Sequence, residues 1–164
     1  MLPLTPDELH EVTSQIGFAL WQVQVLELAV GSYLVFVHKI NPAVARGEAE
    51  SMFARAGKST LGQLLREIHA TGKAPQHLTD ALDAFVPKRN WLVHRSRHES
   101  HRHMYSAVGR ASLIASIEGI ADDALGLMKQ FDAATEAHLE TLGITKEQIE
   151  KDAAKLLREW TEGA

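Results

Sequence analysis

The chain has 164 residues and a mass of 18.1 kDa, with 45% apolar and 23% charged residues; that is enough for one domain with a substantial core and too apolar for a disordered chain. It contains no cysteine, which excludes disulfide scaffolds, thiolate metal centres and thiol nucleophiles. A net charge of −4 and a pI near 6.1 give no global basic field, so nucleic-acid binding would have to come from a local patch.

The first predicted element is a long helix over residues 5–38. Thr5 can cap it, Pro6 suits the first helical position, and Asp7 and Glu8 complement the positive end of the dipole. Leu9, Val12, Ile16, Ala19, Val23, Leu26, Val30, Leu34 and Val37 then recur in steps of three and four, one helical stripe. Gly17 and Gly31 lie inside it and mark close helix contacts or a bend. Leu20 to Val37 is long enough to test as a membrane span, but Gln22, Gln24 and Glu27 would each be costly in hydrocarbon. The N-terminus also lacks the basic start and small-residue cleavage site of a signal peptide. The expectation is a cytoplasmic chain without a membrane partner. Glu27 flanks the stripe, either with its carboxylate in water at the rim or buried against Arg89 or His94 as a second-layer partner.

A weakly helical segment over residues 43–56 leads to Gly57-Lys58-Ser59-Thr60, which looks like the tail of a phosphate-binding loop. That motif needs a glycine where Met52 stands, and a preceding strand, and neither is present in the pattern. The stretch is instead a helix start: Thr60 with Gln63 forms a capping box for a helix over 60–71, closed by Gly72. Pro75 opens a further helix over 76–97, kinked at Pro87. Ser96 to His103 holds no apolar residue and reads as a loop or a frayed helix end. A second long helix spans 105–142, with Ile114, Ile117, Ala121, Ala124, Met128, Phe131 and Leu142 on its stripe and Gly143 at its end. Thr145 with Gln148 starts a C-terminal helix over 145–160 carrying Ile149, Ala153, Leu156, Leu157 and Trp160. No segment alternates with period two for long enough to be a strand. The pattern therefore predicts one all-α domain over 1–164, a bundle built on two long antiparallel helices. Trp21, Trp91, Trp160 and Met128 are expected in the core or at a dimer interface.

The densest polar chemistry lies at Lys88-Arg89-Asn90-Trp91-Leu92-Val93-His94-Arg95. On a helix Asn90 and His94 are four apart and share a face, with Arg89 about 100° to one side of Asn90. A guanidinium, an amide and an imidazole thus project together while Leu92 and Val93 can point inward. From Lys88 to Arg110 there are six cations (Lys88, Arg89, Arg95, Arg97, Arg102 and Arg110) against one acid, Glu99. Such a stretch is either a patch that grips a phosphate backbone or simply a solvated, positively charged helix end. The histidines His94, His98, His101 and His103 include one pair four apart that could chelate a metal. A zinc site wants three or four fixed ligands, so a flexible polar loop is the plainer alternative, and no metal or other cofactor is expected.

Arg89-Asn90, three residues, then His94 resembles the R-N-x-x-x-H signature of HEPN-domain proteins. Gln24-Val25-Leu26-Glu27 on the first long helix and the Thr60-Leu61-Gly62-Gln63-Leu64 helix start are similar in context. The resemblance covers about Leu9 to Leu139, and the Arg89–His94 motif is its specific part. It implies an all-α bundle, a homodimer and, as in many members, a metal-independent endoribonuclease serving as a toxin or in antiphage defence, with a cognate antitoxin or other partner protein. Carried over, Arg89 and His94 would be the catalytic pair and Asn90 the polar residue that positions them. Relatives often place aromatic residues after the histidine, where this chain has Arg95-Ser96-Arg97-His98.

The chemistry is consistent with that resemblance. RNA carries an internal nucleophile in its 2′-hydroxyl, and an imidazole can take its proton or protonate the leaving oxygen near neutral pH. A guanidinium can hold the phosphoryl oxygens as their charge grows. Lys88, Arg95, Arg97 and Arg102 are the expected RNA-binding cations. The alternative is a non-catalytic HEPN-like dimerisation or partner-binding module in which the motif is structural.

Overall fold

The computed structural model describes residues 4–41 and 43–162, with the backbone alone at Leu156. Met1 to Pro3, Pro42 and the Leu156 side chain, which the pattern above puts on the apolar face of the last helix, lie outside the described residues. No strand occurs among the described residues, and the chain is an all-α bundle as its periodicity predicts.

Helix α1 (Pro6–Tyr33) begins with a complete capping box, the Thr5 side chain accepting from Glu8 N–H and Glu8 accepting from Thr5 N–H. It runs on through a wider π-helical turn, Leu34–Lys39. Its stripe forms the core: Val12, Ala19, Val23, Leu26, Val30 and Leu34 are all buried, while Leu9 is half-exposed. The stretch Pro6–Lys39 is long and apolar enough by length and composition to cross a membrane. Here its apolar stripe faces the other helices. Helices α2 (Arg46–Ala56) and α3 (Leu61–Thr71) follow. Gly31 admits α2 closely, since a Cβ there would lie 3.3 Å from that of Ala56; Gly17 has open space around it. The α3 start carries the expected Thr60–Gln63 box, and Gly72 ends the helix at φ +62°.

Helix α4 (Gln76–Asn90) passes without a break into a second π-helical turn, Trp91–Arg95, and then into α5 (Ser96–Ser100). Of the two readings open for this stretch, a loop or a helix end, Ser96 to Ser100 takes the second and is helical. Two local causes act on the ladder here. Pro87 has no N–H to donate within α4, and the Ser96 hydroxyl donates to the Leu92 carbonyl at 2.7 Å. Wider turns inserted into an α-helix often occur at functional sites. A 3-10 turn, His103–Tyr105, leads into α6 (Ala107–Thr141), whose start sits so close that a Cβ on Gly109 would collide with the His103 carbonyl oxygen.

The two long helices run parallel, which corrects the antiparallel expectation. Glu8 near the start of α1 pairs with Arg110 near the start of α6, and Tyr33 at the end of α1 meets Phe131 edge-on at 5.2 Å late in α6. The chain between them makes the return trip. Lys88 meets Asp123, Trp91 borders a hollow with Ser116 and Ile120, and Ser100 and Leu113 line one cavity, so α4 to α5 runs antiparallel to α6. Short loops make neighbours antiparallel, whereas a long crossover lets the flanking helices align.

Helix α7 (Lys146–Glu162) follows Gly143, at φ +81°. Trp160 (70% exposed) and Trp21 (66%) lie on the surface of this single chain, so neither is core. Trp91 and Met128 pack against the core.

Candidate functional site

Arg89, Asn90 and His94 occupy the last residues of α4 and the π-helical turn that follows. Leu92, buried, anchors this turn in the core; Asn90 and His94 are exposed. Arg89 is held differently. Its Nε and Nη2 donate to Glu27 Oε1 at 3.2 and 3.1 Å, and its Nη1 donates to Asn90 Oδ1 at 3.4 Å. The same carboxylate oxygen accepts from the Leu61 N–H at 3.2 Å, one of the orphan donors at the start of α3. With side chains only 15% and 19% exposed, Arg89 and Glu27 form a largely buried ion pair that ties α1, α3 and α4 together. Of the two positions open to Glu27, the paired one is realised, with Arg89.

The His94 imidazole opens onto a cleft lined also by Arg97, His98 and His101. The His101 ring nitrogen Nδ1 donates to the His98 carbonyl at 2.7 Å, and the two rings stand 6.3 Å apart. Among the described residues no three His, Cys, Asp or Glu side chains gather as a metal centre would require.

The cation-rich stretch is far less positive in space than in sequence. Lys88 donates to Asp123 at 2.7 Å, Arg95 pairs with Glu99 at 3.5 Å, and Arg110 pairs with Glu8 while also donating to the Met104 carbonyl. Glu8 is held below the ordinary glutamate range, first by its bond to the Thr5 backbone N–H, with Arg110 adding to the effect. Of the four expected RNA-binding cations, Arg97 and Arg102 have no acidic partner among the described residues, and Arg97 alone of the four lines the His94 cleft.

Away from the motif, the His38 Nε2 is buried without a hydrogen-bond partner. Burial lowers this imidazole's pKa below the usual histidine value, and the charges of Lys73 and His138 lower it further. No motif or spacing in the sequence singles out His38. Its place in a π-helical turn, against the edge of Tyr33 at 5.2 Å, carries no local signal in the sequence.

No family model matches the chain, and neither a curated protein nor a solved structure matches it.

Proposed function

We propose that the chain is a HEPN-type endoribonuclease, acting without metal as a cytoplasmic homodimer in a toxin or antiphage-defence role. The observation that carries this reading is the division of labour within the Arg89-Asn90-His94 motif. The guanidinium is clamped by Glu27 and borders Asn90, while the imidazole stands exposed in a cleft with Arg97, His98 and His101. A pre-positioned cation on the same helical run as an exposed acid–base group suits phosphoryl transfer, in which the protein chiefly orients and stabilises charge.

In the reaction His94 takes the 2′-hydroxyl proton as the 2′-oxygen bonds to phosphorus. The bond from phosphorus to the 5′-oxygen breaks, and that oxygen leaves with a proton from a second imidazole, His94 of another copy. Arg89 and Arg97 offset the charge on the non-bridging oxygens. The products are a 2′,3′-cyclic phosphate and a 5′-hydroxyl.

One observation favours the rival reading, a non-catalytic partner-binding module: Glu27 already engages two of the Arg89 nitrogens and the α3 start, as a structural staple would. Mixed single-stranded RNA with EDTA separates the two. Cleavage by the native chain that falls about 10²-fold or more in His94→Ala, at an unchanged melting temperature, supports the ribonuclease. Intact RNA, or cleavage that survives both Arg89→Ala and His94→Ala, removes it in favour of the rival.

A further inference from the structure

A cavity of about 610 Å³ lies between the start of α1, the start of α6 and the bridge made by α5 and the 3-10 turn. Val12, Ile16, Met104 and Leu113 give it an apolar lining, and no acidic side chain borders it. That volume falls within the range of small-molecule sites, which pair apolar walls with a few polar groups. Arg97 and His101 supply such groups. Both line this cavity and also the neighbouring His94 cleft, so they stand where the two meet. Arg97 has no acidic partner among the described residues, unlike Lys88, Arg89, Arg95 and Arg110. The His101 Nδ1 is committed to the His98 carbonyl, leaving Nε2 as the polar atom of that ring without an assigned bond.

These features select an occupant. Thr13, Ser96, Ser100 and Tyr105 also border it, but the Thr13 and Ser96 hydroxyls already donate to the Leu9 and Leu92 carbonyls. The many donors and acceptors of a polar heterocycle would therefore find few free partners, at a desolvation cost. A neutral hydrocarbon would leave the guanidinium unused. We propose that the cavity binds a free medium-chain alkyl carboxylate, its tail along the apolar walls and its head on Arg97 and His101. The head would then occupy Arg97 and His101 at the edge of the His94 cleft, so bound carboxylate and an RNA phosphate would exclude one another. The binding itself does not rest on the ribonuclease reading.

Titration calorimetry of the full chain with octanoate, decanoate and decan-1-ol, all below micelle-forming concentrations, tests this. Decanoate should bind roughly tenfold or more tighter than octanoate, from two added methylenes. It should also bind about tenfold or more tighter than the alcohol, because the head makes a charge-assisted contact. Arg97→Gln should bring decanoate down to the affinity of the alcohol. Leu9→Trp, at a lining position that is 48% exposed and so tolerant of change, should weaken both. The proposal is overturned if decanoate fails to saturate the native chain, if acid and alcohol bind equally, if Arg97→Gln keeps the preference for the acid, or if Leu9→Trp binds decanoate as the native chain does.

Discussion

Glu27 Oε1 accepts three N–H groups from two other helices, so its loss is felt at each of them. Glu27→Ala leaves a largely buried guanidinium without its counter-charge and an α3 N–H without its acceptor. Chemical denaturation should show a loss of about 2–4 kcal/mol. Glu27→Gln keeps an acceptor and should cost less. His38 makes a different prediction. Its folded pKa lies below the unfolded value, so the unfolded chain binds the proton more readily and stability is lost as pH falls. The loss should begin near pH 6.5, the ordinary histidine value, and continue downward to the folded pKa. Melting temperatures measured from pH 8 to 5 should fall through that window, and His38→Phe, which cannot titrate, should flatten the curve.

At the scale of elements, the features legible in the sequence are those whose partners are close in the chain. The Thr5–Glu8 and Thr60–Gln63 boxes and the Gly72 and Gly143 stops each depend on a few neighbouring residues, and all form. The π-helical turn at Trp91–Arg95 was visible only as a proline kink, because its register also depends on what Leu92 packs against. Ser96 to Ser100 reads as either a loop or a frayed helix end because it lacks large apolar residues. Its buried positions are two serines, whose small side chains fit between α1 and α6 where a periodicity count finds nothing. Gly109 is the clearest test of this corner. Gly109→Ala places a methyl group against the His103 carbonyl, so it should cost about 1–3 kcal/mol in thermal or chemical unfolding. It should also perturb His101 and Met104 resonances more than those of α3.

For the whole molecule, the sequence suggested the all-α class and the motif but not how charges meet across the bundle. Asp123, Glu8 and Glu27 come from other helices to neutralise a stretch that reads as strongly basic along the chain. The same reasoning bears on how two copies would share a site. Phe18, Trp21 and Leu28 make an exposed apolar row on α1, but Phe18 and Glu27 are nine residues apart, about half a turn round the helix. Pairing through that row would turn the two Arg89 sites away from each other; pairing across Val93 and His94 would join them. The homodimeric ribonuclease predicts that Val93→Glu lowers both dimer fraction in sedimentation and cleavage per chain, while Trp21→Glu leaves cleavage intact. The reverse outcome removes the shared site.

The parallel arrangement of α1 and α6 also constrains how the protein is made. Glu8 and Arg110 are 102 positions apart, and the greasy side of α1 finds its main cover only in the last third of the chain. A ribosome therefore releases the first helix long before its lid is synthesised, and the growing polypeptide must shelter that surface in some other way. A fragment stopping at Ser106 should be insoluble or chaperone-bound, and adding a peptide spanning α6 should recover helical circular dichroism.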